Sequence, residues 1–239
     1  MGMSITTYLK ISDPTPTSST ILTTSPTFAT PILLGRIAAR ELGVPFELHT
    51  MELGKDNREE WYLNINPLGK VPAVVCGEDV VYESLVINEY LADKFSTGAG
   101  PEGVTPLLPG TPGGRAMARI VAQRSNDLVK AYFTYLSNKD QEKETPLRES
   151  LEKELRVLDQ YAAKSVEEGG KGWLCGKAGL GCMTLADMAY FPFMERISAT
   201  LKPYKVWRPV ACLCWLLMVI FMWVSTRTHT SVLCYEFYG

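Results

Sequence analysis

The stretch "NPLGKVPAVV", residues 66–75, sets a proline at the opening of an apolar run that otherwise reads as a buried strand. Proline has no amide to give a β-ladder, so sheets keep it for edges, first residues and special geometries, of which a cis X-Pro bond is the common one. A cis Val71–Pro72 bond would turn the amide and carbonyl of Val71 away from the sheet, free to pair with an extended, peptide-like ligand. A trans proline at a strand's first residue is the plainer reading of an isolated Val-Pro. Eleven residues beyond the proline stand Glu83 and Ser84, where a hairpin strand passes into a helix. As structure alone the pair is an ordinary cap, with Ser84 as the capping residue. As chemistry, a helix start offers free amides and the positive end of the dipole to a ligand carboxylate beside the Ser84 hydroxyl. Glu83 is placed to meet a ligand ammonium, so one site would hold both charges of an amino-acid head group.

The elements that must position these residues can be read from periodicity. The segment 12–31 is dense in Ser, Thr and Pro; within it "TILTT" (20–24) is a β-branched run suited to a strand. "ILLGRIAARELGVPFEL" puts Leu33, Ile37, Ala38 and Leu42 at helical spacing, and Gly43 with Pro45 supplies the stop. "FELHTMEL" alternates as a strand does, and "VPAVVCGEDVVYES" gives two short strands about a "CGED" turn. "SLVINEYLADKF" is helical again. The order strand, helix, strand, two hairpin strands, helix makes a small α/β unit. Residues 96–114 carry Gly and Pro at a density no regular element tolerates and read as a linker. Beyond it "RAMARIVAQRSNDLVKAYFTYL", "LRESLEKELRVLDQYAAKSV" and the shorter "TLADMAYFPFMERI" are helical and amphipathic or apolar.

Composition limits the chemistry. A chain of 239 residues, 46% hydrophobic, can bury a sizeable core as one large domain or two modest ones. Lys and Arg (24) nearly balance Asp and Glu (26), so no basic surface for nucleic acid is expected. The six cysteines form no CxxC pair and no His lies near them at ligand spacing, so neither a metal site nor a disulfide framework is expected and a reducing compartment is.

Taken as a set, "NPLGKVPAVV", "VVYESLVINEYLADKF" and "GRIAARELGVPFELHTMEL" resemble the cytosolic glutathione transferase superfamily. The motif "TLADMAYF" (184–191) adds support from the second half, since it is similar to the family's buried capping box, with Thr184 opening a helix and Asp187 closing back onto it. The resemblance implies α/β plus all-α architecture: a thioredoxin-like N-terminal domain over 18–97, then a helical-bundle domain over 105–205. It implies that Val71 pairs its backbone with the cysteinyl part of glutathione beside a cis Pro72. It implies that Glu83 and Ser84 bind the γ-glutamyl head, and Lys70 joins the glutathione-binding set. The implied activity is attack of the glutathione thiol on a small hydrophobic electrophile, in a cytoplasmic homodimer with a detoxifying role.

A thiol of pKa about 8.5 is only a few per cent ionised at neutral pH, so such an enzyme must stabilise thiolate. The position where relatives carry a helping hydroxyl or cysteine falls on Ala29, which can supply neither. A shift of one residue gives Thr30; Ser25 and then Thr27 follow as candidates in the same loop. No cysteine precedes Cys76, which disfavours the cysteine-type members. A non-catalytic glutathione-binding module is the alternative that Ala29 supports. Tyr132, Phe133 and Tyr135 are candidates to line the electrophile pocket, although an aromatic cluster on a helix is more often core.

Residues 206–239 change texture, and 209–224 carry no charged group. The apolar run is shorter than the ~20 residues a bilayer crossing needs. It is open to reading as a marginal anchor, a buried helix, a dimer face or a non-native end; the last is preferred, because relatives of the family end on amphipathic helices.

Overall fold

The computed structural model describes residues 5–11, 30–95, 107–169, 173–175 and 183–204. They fall into two compact units divided between Leu107 and Leu108, within the stretch read as linker.

The first unit holds a four-stranded sheet of order β2-β1-β3-β4, with β1 at Ile5–Ile11, β2 at Phe46–Glu52, β3 at Ala73–Cys76 and β4 at Asp79–Tyr82. The expected opening strand, 20–24, lies outside the described residues, and β1 instead comes from "ITTYLKI", whose β-branched and aromatic residues suit a pleated surface. It pairs antiparallel with β2, Ile5 opposite Glu52 through Ile11 opposite Phe46, and parallel with β3, Leu9 opposite Val74. A parallel β1–β2 crossover would have fixed the strand's direction through its helix. Here the chain from Ile11 to the next helix is long enough for the strand to enter either way.

Helix α1, Thr30–Glu41, buries Leu34, Ala38 and Ala39, and Leu42 just past it. It ends in a left-handed turn at Gly43 (φ 64°), where the Val44 amide reaches back to the Ala39 carbonyl at 2.8 Å. After β2 come a 3-10 turn at Asp56–Arg58 and the one-turn helix α2, Glu60–Leu63. Helix α3, Ser84–Phe95, packs on α1; a Cβ at Gly35 would stand 3.4 Å from Ile87 Cγ2, so the missing side chain sets how closely the two helices meet.

The second unit is helical. Helix α4, Pro112–Leu136, opens with Thr111 Oγ1 accepting from the Gly114 amide and with proline at its first position. Its buried residues Ala118, Val121, Ala122, Ser125, Leu128, Tyr132 and Tyr135 recur at three and four and face α5, Glu144–Glu167, and α6, Leu185–Tyr204. Arg124 ties α4 to α5 through Glu154 at 3.0 Å, and the Tyr132 hydroxyl meets Thr200 Oγ1 on α6 at 2.9 Å. Helix α6 runs through Pro192, past the point where an interior proline usually ends a helix. Its N-terminal half is buried nearly all round, so packing outweighs the hydrogen bond that Pro192 removes.

The motif that opens α6 is a closed hydrogen-bonded box. Asp187, 7% exposed, accepts from the Thr184 amide at 2.8 Å and hydroxyl at 3.0 Å through Oδ2. Its Oδ1 accepts from the Leu174 amide at 2.7 Å. Tyr132 and Tyr135 are core residues of this unit, whereas Phe133 is 40% exposed with the Arg196 guanidinium over its ring. No helix among the described residues is long and apolar enough to cross a membrane; residues 209–224 lie outside them.

Candidate functional site

The loop "NPLGK" is fixed from three sides before it reaches Val71. Asn66, 1% exposed, donates from Nδ2 to the Lys70 carbonyl at 2.7 Å and accepts from the Leu68 amide at 3.1 Å. The Tyr62 hydroxyl donates to the same Lys70 carbonyl at 2.6 Å. Burial pushes that hydroxyl up to about 12, so it stays protonated and a donor at neutral pH. Asn57 clamps the other side, donating from Nδ2 to the Gly69 carbonyl at 2.7 Å and accepting from the Gly54 amide at 2.6 Å. Gly69 has φ 59° and a Cβ there would lie 2.8 Å from the Asn57 carbonyl oxygen, so no other residue fits without moving backbone.

This clamp delivers Val71 in a defined place. The Val71–Pro72 bond is cis, as the sequence led one to expect, and β3 begins only at Ala73. The Val71 side chain packs against the buried Met51, Tyr62 and Ala73. Its backbone amide and carbonyl form no hydrogen bond among the described residues. An anchored side chain beside an unpaired backbone is the condition for adding an extended ligand as a strand.

Across the hairpin the ladder ends at Ala73 opposite Tyr82. One step further on each chain stand Pro72 and Glu83, and two steps further Val71 and Ser84, so both sequence-predicted pairs come to the same end of the sheet. Glu83 turns the chain from β4 into α3 with φ 71°, a left-handed conformation uncommon for a residue with a side chain. Its carbonyl accepts the first helical bond, from the Ile87 amide at 2.9 Å. Glu83 therefore takes the capping position expected of Ser84, and Ser84 becomes the first residue of the helix. The Glu83 side chain is exposed and that of Ser84 half-buried; neither makes a hydrogen bond or ion pair among the described residues. The amides of the first turn of α3 have no acceptor within the helix, as at any helix start. Among the described residues the site thus presents a free carboxylate, a free hydroxyl and a row of amides beside the open Val71 backbone.

Of the remaining sequence-predicted residues, Lys70 is exposed; its carbonyl is taken by Tyr62 and Asn66, which leaves its ammonium as the group available to a ligand. Thr30 is the first residue of α1. Ser25, Thr27 and Ala29 lie outside the described residues. The residues that sequence reasoning missed are the clamp: Asn57, Tyr62, Asn66 and Gly69. "NPLG" carried a turn signal that would have suggested Asn66 and Gly69, but nothing local marked Asn57 or Tyr62.

Three comparisons bear on the site. Residues 35–94 match the family model "Glutathione S-transferase, N-terminal domain", a span that contains the clamp, Val71, Glu83 and Ser84. The chain is 30% identical over 193 residues to glutathione S-transferase 1 of Dianthus caryophyllus, covering 72% of this chain and 83% of that one. It is 30% identical over 169 residues to glutathione S-transferase F10 of Arabidopsis thaliana, covering 65% and 71%. Among solved structures, a glutathione S-transferase from the clam Laternula elliptica superposes with TM-score 0.64 at 18% identity, covering 91% of this chain and 87% of the other. A glutathione transferase family member from Pseudomonas fluorescens, solved with two glutathione bound, does so with TM-score 0.62 at 18% identity over 91% and 88%.

Proposed function

The chain belongs to the glutathione transferase superfamily, and from that premise we propose that it binds glutathione and conjugates its thiol to small hydrophobic electrophiles. The observation that carries the reading is the meeting, at one end of the sheet, of the unpaired Val71 backbone with the unpaired Glu83 and Ser84 side chains. The cysteinyl peptide of glutathione hydrogen-bonds to the Val71 amide and carbonyl as a short added strand. The γ-glutamyl carboxylate accepts from the Ser84 hydroxyl and the first-turn amides of α3, and the ammonium pairs with Glu83. Lys70 lies beside Val71 and offers its ammonium to the remaining carboxylate.

In this arrangement the thiol lies toward the start of α1. Thr30, and after it Ser25, supplies a hydroxyl hydrogen bond to the thiolate; amides at the helix start add to it through the dipole. Each interaction that favours thiolate over thiol increases the fraction of reactive glutathione at neutral pH. The electrophile is attacked by the sulfur, its leaving group departs with the electron pair, and the thiol proton passes to solvent. The working form is a cytoplasmic homodimer.

The test is retention on immobilised glutathione followed by a chlorodinitrobenzene conjugation assay. Retention with turnover supports the reading. Retention without turnover selects a glutathione-binding module, the reading Ala29 favours, and failure to be retained refutes both.

A further inference from the structure

Helix α3 buries a polar group that nothing among the described residues satisfies. Asn88 is 1% exposed, and neither Nδ2 nor Oδ1 of its side chain has a hydrogen-bond partner among the described residues. The other buried residues of the helix, Ile87, Leu91 and Ala92, are apolar or small. An apolar residue in place of Asn88 would avoid the cost of an unsatisfied buried amide. A side chain kept at such a cost fits a state of the protein in which it is bonded.

Its place in the helix says which state. Asn88 follows Ser84 by four residues, one turn along the same face. Cα–Cβ bonds of an α-helix tilt toward its N-terminus, so the Asn88 amide leans over the turn that Ser84 begins. Ser84 carries a hydroxyl that is itself without a partner among the described residues. Two orphaned polar groups therefore stand one above the other, directly behind the turn that the proposed function gives to the γ-glutamyl carboxylate.

Resting on that reading, we propose that Asn88 is a positioning residue for Ser84. When a carboxylate occupies the start of α3, the Asn88 Nδ2–H donates to the Ser84 oxygen. The hydroxyl proton is then directed outward, to the carboxylate. Asn88 thereby favours ligands whose head group is an anion accepting that proton, and amidation of the same group, which leaves only a neutral carbonyl acceptor, reduces the benefit.

The experiment is calorimetric titration of the full chain, of Asn88→Leu, of Ser84→Ala and of the double variant. The ligands are glutathione and an analogue whose γ-glutamyl α-carboxylate is amidated. Asn88→Leu should melt at or above the wild-type temperature yet bind glutathione roughly tenfold more weakly. In the Ser84→Ala background the same change should have almost no effect, and with the amidated analogue the loss on Asn88→Leu should be smaller than with glutathione. Asn88→Ala, which cannot overpack, should show the same loss of affinity. Undiminished glutathione binding by both Asn88 variants overturns the proposal, as does an equal loss with the analogue or in the Ser84→Ala background, which would mark a purely structural role. A wild-type chain that binds no glutathione would instead overturn the functional reading, and this inference with it.

Discussion

Glu83 holds φ at 71°, where a residue with a Cβ costs roughly 1–2 kcal/mol relative to the right-handed regions. A residue kept there for its side chain, and not for its backbone, should separate stability from binding when replaced. Glu83→Gly should raise the melting temperature while weakening glutathione binding by about 1–3 kcal/mol, the worth of a charged hydrogen bond. Thermal unfolding and titration calorimetry of one preparation measure both, and a variant that is more stable yet binds normally would remove Glu83 from the site. At Thr30 the expectation is kinetic. Thr30→Val keeps the shape and removes the donor, so the pKa of bound glutathione should rise and the conjugation rate at neutral pH should fall, with recovery at higher pH. A loss confined to Ser25→Ala would move the role to that residue. The position of Glu83 and Ser84 at a strand-to-helix junction was legible from the change of period there. Their exchange of roles was not legible, since which residue caps depends on the φ of Glu83.

At the scale of elements, the loop 66–70 and the opening of α6 each rest on a few buried acceptors. Gly69→Ala forces a side chain into a left-handed position 2.8 Å from the Asn57 carbonyl oxygen. It should cost about 1–3 kcal/mol and weaken glutathione retention, because the backbone that must yield carries Val71. A stable variant with full retention would show that the clamp does not position Val71. Asp187→Ala strands the Leu174 and Thr184 amides and removes one acceptor of the Thr184 hydroxyl, and should cost about 3 kcal/mol or more in chemical denaturation. The hairpin and both flanking helices of the first unit were legible from period and turn chemistry. The direction of β1 was not, because the segment joining it to α1 leaves either direction open, and neither was the length of α6, which continues to Tyr204 beyond the apolar stretch 184–197 by which it was read.

At the scale of the molecule, pH acts through two carboxyls of the helical unit, the buried Asp187 and the half-buried Glu195. Burial pushes Asp187 up to about 6, against the hydrogen bonds it accepts, and Glu195 up to about 7. A carboxyl whose folded pKa is raised holds its proton more tightly folded than unfolded, so its contribution is present at low pH and lost as pH rises through the folded value. Stability from these two groups should therefore decline between about pH 4 and pH 7. Glu195→Gln should raise the melting temperature at pH 8 and leave it unchanged at pH 4; no gain at pH 8 would show that the carboxyl is not held out of water. The division between Leu107 and Leu108 falls within the Gly- and Pro-rich stretch 96–114. The buried amide of Asn88 was not legible, because α3's period alone cannot tell a core position that is satisfied from one that waits for a ligand.

The proposed function requires glutathione to pair with the open backbone at Val71 and the start of α3. Isotope-labelled protein titrated with glutathione reports this amide by amide. The Val71, Ser84 and Leu85 amide resonances should shift saturably with one common affinity, while that of Leu158, buried in α5, stays still. Binding that leaves the Val71 and Ser84 amides unmoved would contradict the proposed function.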